Sequence, residues 1–395
     1  MSTAATANTQ PPVTLNYEGG LAPRETGYVP ELDTFRALAI LSVMCLHWLP
    51  ENALFNRLQG QISNGVHLFF VLSGFLITRI LMQCRANVES GSATRGHSLR
   101  QFYARRFLRI FPVYYFVLIL GALLHFQGLR EGFAWHATYL SNLYYFLKGR
   151  FDGPASLFWT LAVEEQFYLV WPLLILFLPK RVIFPFVLAV VILGTGLRIY
   201  AVMRGDMTNI LTPACINFLA TGSLLAVSES TTVGSPQLRA RLLRTFSMLI
   251  VALACVSIAF AVRYGIHRWM TALAVHAIDQ PMMSLVYACL FAWASARVAG
   301  PLGHVMRFRP LVYMGRISYG LYVYHLFVSF GMARMQHWLG MHIGIGRAAR
   351  LVDNFGVRFL ITVAIASASW FLFEKPLNDL KRFFPYRDRS LERRS

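Results

Sequence analysis

VIFPFVLAVVILGTGLRIYAV, residues 182–202, decides the fold. At 1.5 Å per residue a helix of that length extends roughly 30 Å, the thickness of a bilayer's hydrocarbon core. Similar apolar runs recur at about 34–50, 64–84, 108–127, 156–178, 209–229, 244–264, 270–298, 311–336 and 354–376. The expectation is an all-α polytopic membrane protein with about ten transmembrane helices. The composition agrees: of 395 residues 56% are apolar and 14% charged, and the mean hydropathy is +0.49. Soluble domains carry about 25% charged residues. A soluble enzyme, a disulfide scaffold and a disordered chain are all excluded.

Thirty-seven Lys and Arg against 18 Asp and Glu leave a net charge of +19. Most of these cations flank the apolar runs, where basic residues hold loops on the cytoplasmic side and attract lipid headgroups. The membrane explains the charge without nucleic acid. With both termini cytoplasmic, roughly 25 of the 37 basic residues fall inside, the asymmetry that the positive-inside rule expects. Residues 1–30 are polar and read as a disordered cytoplasmic tail, 31–380 as one membrane domain, and 381–395 as a basic cytoplasmic tail. The segment 128–155, with Trp135, Tyr139, Tyr144 and Tyr145, reads as lying on the outer membrane surface. None of the five cysteines has metal-binding spacing, so no metal is expected.

Ionisable groups within a bilayer cost several kcal/mol and therefore usually face a partner, a cavity or a substrate. The first span holds Arg36 and His47, roughly 16 Å apart along a helix axis. The fourth holds Glu164 and Glu165, and the ninth holds His325. Counted from the expected span ends, His47, Glu164 and His325 reach a similar depth. Imidazole titrates near neutral pH and suits general-base work, and a carboxylate such as Glu164 would fix its tautomer. Adjacent residues on a helix point about 100° apart, so only one of Glu164 and Glu165 is expected to face the reaction centre. Asp33 reads as a helix N-cap able to pair with Arg36. Asp279 is a carboxylate in the eighth span without an assigned partner. Arg106 and Arg109, three apart on one face, suit a phosphate because each guanidinium fork binds two oxygens. Simple flanking of a span explains the same pair.

Taken together these motifs resemble the acyltransferase 3 family of integral-membrane O-acyltransferases. Arg36 and His47 match its Arg-x10-His motif. Val66, Phe69, Phe70, Ser73, Gly74 and Phe75 match VxxFFxxSGF, and Arg106 and Arg109 match RxxR. WTLAVEEQFY from Trp159, with Thr160 in a usual serine position, ISYGLYVYH ending at His325, and FEKP from Glu374 are similar to further family motifs. The resemblance implies a multi-pass protein of the bacterial cytoplasmic (inner) membrane. It would take an acyl group, acetyl in the first instance, from cytoplasmic acyl-CoA to a hydroxyl of an extracytoplasmic glycan or glycoside. His47 would act as base, with Glu164, Glu165 and His325 beside it. Arg36, Arg106, Arg109 and Ser73 would line the donor site. With no esterase-type domain following, the chain resembles the stand-alone members. A macrolide or other small-molecule acceptor fits the same motifs. A proton-coupled transporter would also need buried His and Glu, but the inverted repeats common in transporters are not visible here.

Overall fold

The computed structural model describes residues 28–50, 53, 65–231, 273–295, 300–343 and 354–388. Among these the regular structure is helical, with no strand. The long helices are α1 (Pro30–Trp48), α2 (Gly65–Glu89), α3 (Arg95–Leu123), α4 (Phe158–Phe177), α5 (Lys180–Arg204), α6 (Thr212–Thr231), α7 (Leu273–Ser295), α8 (Ser318–Ile343) and α9 (Phe355–Ser369). Every expected apolar run carries a helix except 244–264, which lies outside the described residues, as does the 1–27 tail. The run at 311–336 is divided: a separate helix, Arg309–Arg316, precedes α8. Asp279 falls within α7, but its side chain is outside the described set.

Five stretches are long and apolar enough to cross a membrane: α2, α3, Pro154–Phe177, α5 and Phe355–Phe383, with a sixth if the bent pair Gln280–Ser295 and Gly300–Met306 is one span. Two of these stretches face mainly outward, whereas α2 is 67% buried in its most apolar window. In the most apolar windows of α5 and of the last stretch only 22% and 17% of residues are buried, and Ile192, Leu193, Leu360 and Leu372 face outward. α1 carries Glu31, Asp33 and Arg36, yet most of it is buried. An inward-facing helix can be polar because protein partners, not lipid, satisfy its groups.

Local signals set the helix ends. Pro30 occupies the first turn of α1 with Glu31 and Asp33 beside it, where a missing N–H costs nothing and acidic groups meet the positive end of the dipole. The helix therefore begins before Asp33, with Val29 rather than Asp33 at the N-cap. Thr94 caps α3 by accepting from His97 N at 3.1 Å, and Asn354 caps α9 by accepting from Val357 N at 2.9 Å.

The centre of the bundle is the α2–α6 crossing, made by glycines. A Cβ built on Gly74 would lie 1.8 Å from the Leu219 carbonyl oxygen, and one on Gly222 would lie 1.9 Å from that of Val71. Small residues permit such backbone approach in membranes. Thr78 donates to Ser223 Oγ at 2.8 Å across the contact, and Trp171 Nε1 of α4 donates to Thr78 at 2.8 Å. This crossing holds α2, and hence Ser73, in register with α4.

Candidate active site

A cavity of about 100 Å³ opens between α1, α2, α3, α4 and α8. Arg36, Ser73, Arg106, Arg109, Glu164 and Glu165 all line it, with Tyr168, Tyr319, Tyr322 and the apolar Val66, Phe69, Phe70 and Leu76. Arg36 pairs with Asp33 at 2.5 Å, as its three-residue spacing on a helix predicts, and Tyr28 donates to the other Asp33 oxygen at 2.7 Å. Arg106 lies over the rings of Phe102 and Tyr168, 5.7 and 5.2 Å from their centroids. Among the described residues neither Arg106 nor Arg109 donates a hydrogen bond to protein, so both forks stay open to the cavity.

Both glutamates reach this cavity, against the expectation that only one would. Five helices surround the space, so a wide arc of α4 borders it. Their roles differ. Glu164 Oε1 accepts from Ser73 Oγ at 2.6 Å. Glu165 Oε1 is buried with no hydrogen-bond partner among the described residues. The next residue, Gln166, ties α4 to the 128–155 segment by donating to the Tyr139 carbonyl at 2.9 Å and to Asn142 Oδ1 at 3.0 Å.

His47 and His325 meet outside this lining. His325 is fully buried, whereas His47 keeps an exposed face. Their rings are 5.1 Å apart between centroids, with His325 Nε2 3.1 Å from His47 Nδ1. Carbonyl oxygens only accept, which assigns the protons. His325 Nδ1 lies 2.6 Å from the Tyr322 carbonyl and must be its donor. In the neutral ring Nε2 is then an acceptor, so His47 Nδ1 carries the proton. The result leaves His47 Nε2 with a free lone pair. Glu164, expected to hold the His47 tautomer, is engaged with Ser73 instead, because its position on α4 faces α2 and α3.

The 128–155 segment folds into two short helices, Phe133–Ala137 and Ser141–Lys148. Tyr114 and Tyr115 of α3 hold it by donating to the His136 and Ala137 carbonyls, each at 2.7 Å. Tyr139 has φ +55°, a costly conformation for a non-glycine residue, and its buried hydroxyl lacks a partner among the described residues.

Three contributors escaped the reading of ionisable groups. Tyr322 orients His325 through its carbonyl, while its hydroxyl meets Thr160 Oγ1 at 2.5 Å. Glu374 is buried in a π-helical turn, Trp370–Glu374, and accepts from Ser369 Oγ at 3.3 Å. Lys381 comes from the segment after α9. All three follow or sit within motifs that were legible, but their contacts span distant parts of the chain. Among the described residues no group of three or more His, Cys, Asp and Glu is arranged to hold a metal ion.

The chain is similar to the peptidoglycan O-acetyltransferase OatA of Listeria monocytogenes, with 35% identity over 184 residues, covering 43% of this chain and 28% of that protein. It is also similar to the O-acetyltransferase OatA of Staphylococcus aureus, 26% identical over 380 residues, covering 89% of this chain and 57% of that protein. The chain thus spans about half the length, or less, of these curated relatives. No solved structure matches it. The acyltransferase domain of the acyltransferase 3 family matches residues 29–374, from the start of α1 to Glu374, and so takes in both the lined cavity and the histidine pair. This chain belongs to the acyltransferase 3 family.

Proposed function

We propose that the protein is an integral-membrane O-acetyltransferase that takes an acetyl group from cytoplasmic acetyl-CoA and delivers it to a carbohydrate hydroxyl on the other side of the membrane. The observation that carries this reading is the cavity lined by Arg106 and Arg109, whose guanidinium forks donate no hydrogen bond among the described residues. Unengaged guanidinium groups facing a mostly apolar space fit an anionic ligand with an apolar arm. The relatives' names make peptidoglycan the first acceptor to try.

In this reading Arg106 and Arg109 hold donor phosphates, with Arg36 beside them. α1 links that site to the chemistry, since His47 stands roughly 16 Å further along the same helix. His47 Nε2 accepts the proton of the acceptor hydroxyl. The oxygen attacks the thioester carbonyl, the C–S bond breaks, and the CoA thiolate leaves. The His325 contact stabilises the resulting imidazolium by accepting its Nδ1–H. Catalysis by a placed base contributes about 10²- to 10⁴-fold.

The about ten spans and two cytoplasmic termini belong to the same proposal, as does the bacterial inner membrane as its location. Basic residues concentrate on the face that holds the start of α3, which favours that face as the inner one. Single cysteines at Gly96 and Arg150, both exposed, in a background without the native ones, test this with a membrane-impermeant thiol reagent. Arg150→Cys should label in intact spheroplasts and Gly96→Cys only after lysis; the reverse would place the donor site where CoA is absent. For the chemistry, purified protein in nanodiscs should release CoA from acetyl-CoA only with acceptor present. His47→Ala should abolish that release, and a well-folded His47→Ala protein with substantial transfer would defeat the assignment.

A further inference from the structure

The cavity stops one helical turn short of the histidines. On α8 it is lined by Ser318, Tyr319 and Tyr322, and His325 continues the same face about 4.5 Å beyond Tyr322. On α1 it is lined by Arg36, whereas Ile40 and Val43, on the way to His47, are fully buried. The boundary is aromatic. Tyr322 packs edge to face against Phe69 of α2, 6.1 Å between ring centroids, and both side chains line the cavity. The Tyr322 ring also lies 5.7 Å from that of His325.

Tyr322 is held in this place by its hydroxyl. Thr160 Oγ1 donates to the Leu157 carbonyl at 2.9 Å, so its single proton is engaged. The Tyr322 hydroxyl therefore donates to Thr160 Oγ1, at 2.5 Å, and lies 3.3 Å from the Leu157 carbonyl as well. Tyr322 and Thr160 are both buried. The clasp joins α8 to the start of α4 and the turn before it. Swinging the ring aside would strip a buried hydroxyl of its partner, a loss that burial makes costly.

We propose that Tyr322, with Phe69 against it, determines the length of the acyl group: the clasped ring ends the acyl subsite behind a two-carbon chain and turns longer chains away. This role rests on the donor reading given above and adds to it the residue that selects the acyl group. With donor phosphates at Arg106 and Arg109, the thioester has to approach His47. The wall it meets at that end of the cavity is the Tyr322–Phe69 pair. An acetyl group fits against the pair as it stands. Each further methylene needs the ring to move, and a packed interior yields such volume only with strain.

The test is binding of acetyl-CoA and of butyryl-CoA to full-length protein in nanodiscs, by calorimetry. Methylene-sized discrimination in a shaped pocket is about tenfold or more, so wild type should bind acetyl-CoA tighter by at least that ratio. Tyr322→Leu removes ring and hydroxyl and should bring the ratio close to one, through a gain in butyryl-CoA affinity. Tyr322→Phe and Thr160→Val keep the bulk, release the clasp and should lower the ratio part of the way. Thr160→Ser keeps the hydroxyl and should keep the wild-type ratio. A general packing defect weakens both ligands alike and leaves the ratio where it was. An unchanged ratio in Tyr322→Leu overturns the role of Tyr322 while the donor reading stands, as does a wild type that binds the two equally. If Tyr322→Leu does not fold, Tyr322→Phe decides, and an unchanged ratio there overturns the role. If wild type binds neither ligand, the donor reading fails and the acyl-length role falls with it.

Discussion

Replacing Gly74 by alanine puts one methyl group where the structure has no room. The added Cβ would sit 1.8 Å from the Leu219 carbonyl oxygen and 2.7 Å from its carbonyl carbon, both backbone atoms that no side-chain rotation can move. Ordinary contact begins near 3.4 Å, so α2 and α6 must separate by roughly 1.5 Å. Forced overpacking costs about 1–3 kcal/mol, sometimes more, against a gain of about 1 kcal/mol for alanine over glycine in a helix. The net is a loss of up to roughly 2 kcal/mol if the helices part freely, and more if they do not. The shift also reaches the site, because neighbouring Ser73 holds Glu164 at 2.6 Å and would not keep that bond through such a displacement. Gly196 in α5 is the matched control: its added Cβ meets nothing within 4 Å, so Gly196→Ala should be neutral or slightly stabilising. Thermal unfolding of both variants in the same detergent, followed by acetyl transfer at a permissive temperature, reads both consequences. Gly74→Ala with the melting temperature and activity of Gly196→Ala would refute the close crossing and its coupling to Ser73.

His325→Phe keeps a buried ring but removes the acceptor for His47 Nδ1–H; transfer should fall about 10- to 100-fold, chiefly in kcat, with donor affinity unchanged. Equal losses in kcat and CoA affinity would point to a general packing defect instead. A second test uses pH. Burial pushes His136 down to about 4, only partly opposed by the Gly128 carbonyl and Asp152. The unfolded chain binds this proton from about pH 6.5, so between there and pH 4 it holds more protons than the native state. Stability should be flat above pH 6.5 and decline on acidification through that window, by an amount on the order of 3 kcal/mol. His136→Phe should flatten the decline in thermal unfolding; an unaltered acid limb in that variant would clear His136 of the effect.

The apolar runs determined by themselves that the chain is helical and lies in a membrane, because hydrocarbon leaves a backbone no other partner than its own turns. They also placed Arg36 and His47 on one helix and Arg106 with Arg109 on one face, since helical spacing is a local property. What each side chain touches was decided elsewhere. His47 lies 278 residues from His325, and no local period reports that pairing; apparent depth put Glu164 there instead. The expectation about Glu164 and Glu165 failed for a related reason: a 100° separation divides two residues only when one narrow neighbour faces the helix, and here α4 borders a cavity ringed by several. Lys381 read as part of a basic tail because its sequence neighbours are basic. Its place beside α3 follows from Arg105 gripping the Lys381 and Phe384 carbonyls of the returning chain, contacts across more than 270 residues that only the packed bundle creates.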